Sequence, residues 1–164
     1  MSSPASQADQ RLKTSIVSLL AEGRIMSVGT LRPDGWPQVT TVGYINDDLV
    51  LYFAVASTSQ KYLNTQRDPR VSIAVAIGPD SRRQARGLSM AALASQVVDP
   101  AEVERINRLL SGRYFGHAIF APRGPSAVVL RADPIIISLA DDSDGCIEPQ
   151  IFEMSGCSPE RPAN

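Results

Sequence analysis

Residues 49–61 read LVLYFAVASTSQK, a change from strand-like to helix-like sequence inside one short stretch. Leu49–Val55 is an unbroken run of aliphatic, aromatic and β-branched residues, the length of a buried strand. Three hydroxyl residues follow, and Ser57 with Gln60 three positions on fits a capping box. No breaker interrupts Lys61–Gln66, and Asp68-Pro69 would stop a helix there. A helix start offers free N–H groups, and with hydroxyls and a lysine in its first turn it has the makings of a phosphate site. The plainer reading of the same residues is a capped surface helix with a solvated lysine.

The neighbouring segments set the fold. Arg24–Leu31 reads as a strand, Pro33-Asp34-Gly35 as a tight turn, and Gln38–Ile45 as a second strand. After the turn at Asn46-Asp47-Asp48 comes the 49–55 strand, so these three strands predict an antiparallel meander. Gly43, inside a strand pattern, suggests a bulge or a close approach. Val71–Ile77 is a further strand, residues 78–84 a loop, and residues 87–98 a long apolar run read as a strand despite its alanines. Ser126–Arg131 and Pro134–Leu139 give two more strands, with Ala132-Asp133 between them. Helices are expected over Ser6–Ala21, where Leu12, Ile16, Leu19 and Leu20 recur at helical spacing, and from Pro100 to about Leu110. The sum is a mostly β, α+β chain: a six- to seven-stranded antiparallel barrel with peripheral helices.

Composition narrows the function classes. The 164 residues suit one domain, taken as 1–140 with a disordered start at 1–5 and a polar tail over 141–164. A net charge of −1 gives no basic field to recruit nucleic acid, and no apolar run is long enough to span a membrane. The N-terminus lacks a signal-peptide core, so the expected location is cytoplasmic. Cys146 and Cys157 are too few for a disulfide framework, and a single His117 excludes a multi-histidine metal centre within one chain.

From Arg24 to about Val98 the sequence resembles the pyridoxamine 5′-phosphate oxidase-like family, the FMN-binding split barrels. The words that carry the resemblance are PDGWPQVTTVGYINDDLVLYFAVASTSQKYLNTQRDPRVSIAVAI and then RRQARG, in order and at nearly the family's spacing. The resemblance implies a split barrel, a homodimer, and FMN in a cleft between subunits. It implies that Lys61 binds the phosphate, with Ser59 and Gln60 beside it. It implies further that Thr40, Thr41 and Val42, together with Phe53 and Ala54, line the flavin, and that Gln84 contacts it. Two departures point away from the oxidase proper. Thr40 stands where that enzyme has arginine, and the C-terminus carries no arginine- and tryptophan-bearing segment to complete its substrate site.

The implied activity is flavin-dependent oxidoreduction of a small substrate with a separate electron donor. A reductase using a deazaflavin coenzyme is one alternative, with Arg82, Arg83 and Arg86 as a cationic lip for its anionic tail. A non-catalytic flavin or haem binder is another, with His117 as the haem ligand. Thr40 and Thr41 alternate sides of their strand, so one of them at most presents its side chain to a ring. Trp36 and Tyr44 either stack on a ring or fill the dimer interface, and the interface is the preferred reading.

Overall fold

A computed structural model of the chain describes residues 4–78, 86–113, 126–141 and 148–154. Arg82, Arg83, Gln84, His117 and both cysteines lie outside them. In chain order the elements are α1 (Pro4–Glu22), β1 (Ile25–Leu31), β2 (Pro37–Gly43), β3 (Ile45–Asp47) and β4 (Val50–Ala56). Then come α2 (Gln60–Arg67), β5 (Arg70–Ile77), β6 (Arg86–Gln96), α3 (Pro100–Arg113), β7 (Ala127–Asp141) and β8 (Gln150–Glu153).

Every strand pairing is antiparallel, in the order β2-β1-β5-β6-β7-β4-β3, with β8 on the free part of β7's edge. The sheet curls until β2 lies against β4 without pairing with it, which makes the barrel a split one. The core fills the curl. Val71, Ile73 and Val75 alternate with exposed Ser72, Ala74 and Ala76, and Leu88, Met90, Ala92 and Ala94 do the same on β6. That period of two decides the 87–98 run as a strand. Ile16, Leu19 and Leu20 of α1 are no more than 1% exposed, and Ile106 and Leu110 seat α3, while Leu109 stays on its outer side.

The predicted meander is not what forms. β1 and β2 are a hairpin, but β4 pairs with β3 and β7 at the far end of the strand order. The break falls at Tyr44. The expected strand Gln38–Ile45 ends at Gly43, Tyr44 turns inward to donate from its hydroxyl to Leu20 O at 2.9 Å, and Ile45 opens β3. Tyr44 is fully buried within the protomer, which overturns its assignment to a dimer interface. A Cβ on Gly43 would meet only Arg24 O, at an ordinary 3.8 Å, so no close approach requires glycine there. The turn after β1 forms as expected: Gly35 takes φ +85° and its N–H donates to Arg32 O at 3.0 Å.

The two runs at 126–131 and 134–139 merge into the single strand β7. Its ladder with β6 slips between Ala91 and Ala92, which face Ile136 and Pro134, leaving Ile135 as the extra residue. A proline has no N–H for the ladder and belongs at such a bulge, which bends the strand around the barrel. Ile135 O accepts from Met154 N at 3.0 Å, just beyond β8, so the bulge also helps hold the C-terminal strand.

Candidate functional site

The site is built where β4 hands over to α2. Ser57 does not open the helix, because its N–H donates to Ser126 O at 2.8 Å and prolongs the pairing with β7. Ser59 is the cap instead, with extended backbone (φ −71°, ψ 145°) and an Oγ that accepts from Tyr62 N at 3.4 Å. The expected capping box at Ser57 is corrected by two residues: strand pairing holds the chain longer than the hydroxyl spacing implies. The N–H groups of Gln60 and Lys61 therefore stand at the helix start, where no intrahelical partner exists. The Lys61 side chain is half-buried and makes no hydrogen bond or ion pair with the described residues.

Helix α2 packs on β1, β4 and β6 and is tied down by polar side chains. Gln60 Nε2 donates to Asn64 Oδ1 at 2.8 Å. Asn64 Nδ2 donates to Thr30 Oγ1 at 2.9 Å and to Gln38 Oε1 at 3.2 Å. The Tyr62 hydroxyl donates to Gln96 Oε1 at 2.8 Å, and Arg67 donates to Leu31 O and Arg32 O at 3.0 and 2.7 Å. The sequence reading gave Asn64, Thr30, Gln38 and Arg67 no role. The available signal was the i,i+4 spacing of Gln60 and Asn64, a pair that meets on one helix face.

Strand β2 forms the adjacent wall. Gln38, Thr40 and Val42 are half-buried on one face; Val39, Thr41 and Gly43 are exposed on the other. Thr40 thus shares a face with the glutamine that holds Asn64, while Thr41 points away. The Thr40 hydroxyl oxygen is buried and has no hydrogen-bond partner among the described residues. Phe53 is 1% exposed and belongs to the core, so its side chain serves packing. Ala54 is half-buried on the opposite side of β4 from Phe53. Ser59 is committed to capping, and Gln84 lies outside the described residues.

Other charged candidates are engaged elsewhere. Arg86 pairs with Glu22 at 2.5 Å at the start of β6, so it is not a free cation of a lip. A separate cluster fastens α3. The Tyr52 hydroxyl donates to Glu102 Oε1 at 2.9 Å and accepts from Arg105 at 3.0 Å, and Arg105 also pairs with Asp47. Arg131 bridges Glu102 and Asp133 at 3.2 and 2.6 Å. Burial, reinforced by the Glu102 contact, pushes the Tyr52 phenol up to about 12, so it is protonated at neutral pH and acts as a donor.

A family model described as pyridoxamine 5′-phosphate oxidase matches residues 12–138. No curated protein matches the chain. Among solved structures, an F420 reductase is 29% identical with a TM-score of 0.58, over 74% of this chain and 94% of that one. A Listeria innocua protein ascribed to pyridoxamine 5′-phosphate oxidase is 26% identical with a TM-score of 0.61, over 78% and 97%. A conserved hypothetical protein of Mycobacterium tuberculosis is 25% identical with a TM-score of 0.68, over 89% and 92%. The family match runs from within α1 to within β7 and so takes in both β2 and α2, and the chain belongs to the pyridoxamine 5′-phosphate oxidase-like family of split barrels as a member other than the oxidase proper.

Proposed function

We propose that the chain binds FMN and works as a flavin-dependent oxidoreductase on a small substrate. The observation that carries the reading is Lys61, half-buried at a helix start, beside a strand whose Thr40 hydroxyl is buried, both without a partner among the described residues. Both are groups that a phosphorylated, hydrogen-bonding cofactor would satisfy. Lys61 and the N–H groups of Gln60 and Lys61 would hold the phosphate, and Thr40 would face the ring system. When bound, the flavin supplies hydride acceptance and donation. The residues named hold and orient it; none of them is placed to move a proton.

A homodimer is part of the proposal. One cross-strand row runs Thr41, Ser27, Ala74, Ser89, Ser138 and Ile151, and the next runs Val39, Gly29, Ser72, Ala91 and Ile136. Small side chains on this open face would let a second sheet approach closely, and exposed Val39 and Ile151 give it apolar area to bury.

The test is the visible absorption spectrum of purified protein before and after adding FMN, beside Lys61→Ala, with mass measured in solution. Flavin bands retained by wild type and at least about tenfold weaker binding in the variant are expected, since a charge-assisted bond to phosphate is lost. Wild type that neither retains nor takes up FMN refutes the reading. A second reading, a deazaflavin-dependent reductase, is favoured by the 29% identity to an F420 reductase, and binding of F420 in preference to FMN would establish it.

A further inference from the structure

Thr30, Asn64 and Thr65 are the buried polar residues among those described, and Asn64 is fully buried. Its amide has three separate destinations. The carbonyl oxygen accepts from Gln60 in the first turn of α2, and the nitrogen donates to Thr30 on β1 and to Gln38 on β2. A single side chain thus joins the start of the helix to both strands of the β1–β2 hairpin. Arg67, one turn on, holds the carbonyls of Leu31 and Arg32 at the end of the same hairpin. An apolar residue at 64 could fill the volume but would leave Gln60, Thr30 and Gln38 without these partners.

We infer that Asn64 is a positioning residue for the cofactor phosphate, acting through Gln60 and the α2 backbone without touching the ligand. The inference rests on the phosphate reading above. Lys61 has a flexible stem and can follow a phosphate that moves; the helix N–H groups cannot. Their aim is set by where α2 sits on β1 and β2, and small misplacements of fixed donors are costly. Gln60 belongs to the same device. Its amide nitrogen is spent on Asn64, so it braces the helix, and Lys61 alone supplies formal charge from the side chains of this turn.

The device acts on the phosphate end of the cofactor, so the test separates that end from the ring. Dissociation constants for FMN and for riboflavin, which lacks the phosphate, are measured for wild type and Asn64→Ala. The expected result is a loss of about tenfold for FMN and under about twofold for riboflavin. Thr30→Val, which removes one acceptor at constant volume, should shift the same ratio by about threefold and serves if Asn64→Ala does not fold. Equal losses for both ligands, or none for either, overturn the proposal. If wild type binds neither ligand, the phosphate reading fails, and amide hydrogen exchange judges the positioning role by itself. Protection lost over residues 60–67 beyond that in β5 and β6 sustains it; a uniform loss that follows global stability overturns it.

Discussion

Thr40→Val should move stability and ligand affinity in opposite directions. The Thr40 hydroxyl oxygen is buried and unpartnered among the described residues, on the same face of β2 as Gln38 and opposite buried Val28. Leaving a buried hydroxyl unpaired costs about 1–3 kcal/mol relative to its hydrated state. Valine has nearly the same shape and nothing to satisfy, and it suits a strand. Because Thr40 is half-buried as a residue, the lower end of that range applies, and the free protein should gain about 1 kcal/mol. For a chain of this length that gain raises Tm by about 2–4 °C. The same exchange removes the hydroxyl that FMN would satisfy, and the loss of one such bond in a dry site weakens binding about tenfold. Calorimetric melting of the ligand-free protein and fluorescence titration with FMN read the two effects separately. A destabilised free protein would show that the hydroxyl is already satisfied there. Unchanged FMN affinity alongside a stabilised free protein would remove Thr40 from the flavin wall.

Two further outcomes follow from the packing. The Tyr52 phenol is raised from 10 to about 12, so the folded state favours its neutral form, and that contribution is whole below pH 10 and lost as pH rises through 12. Denaturant melts of wild type should weaken over pH 10–12 more steeply than those of Tyr52→Phe, and parallel curves would contradict the burial of the phenol and its Glu102 contact as the causes of the shift. At Gly23 a Cβ would press on the Tyr44 hydroxyl and reach Val75 Cγ1 at 2.9 Å, so Gly23→Ala should cost about 1–3 kcal/mol. Tyr44→Phe in the same chain should recover part of that cost, and simple additivity in the double-mutant cycle would count against the clash.

Local signals read well wherever one period ruled a segment. The 3.6-residue recurrence of Ile16, Leu19 and Leu20, the alternation in β5, and the Pro33-Asp34-Gly35 turn each predict what formed. Strand order is a different kind of fact. Short turns made β1, β2 and β4 look like neighbours, but at Tyr44 the backbone still bonds Arg24 O of the hairpin while its hydroxyl reaches Leu20 O, and β3 and β4 then pair at the far end of the order. No window around Tyr44 contains Leu20, which lies twenty-four residues away. The merging of 126–131 and 134–139 into β7 was hidden for a related reason, since Pro134 reads as a break until a neighbouring strand shows it to be a bulge.

The site was legible in its chemistry and less so in its register. The phosphate words pointed to the turn before Lys61, yet the cap sits at Ser59 because β7 holds Ser57, and Asn64 does its work through strands far off in sequence. Legibility also stops at β6, where Arg86 begins the strand and Gln96 at its other end meets Tyr62 of α2. Ten strand steps of about 3.3 Å put these ends roughly 30 Å apart along the sheet. Thr40 and the small-residue face lie on opposite sides of β2, so the proposed flavin contact and the proposed dimer face make separate demands on this sequence.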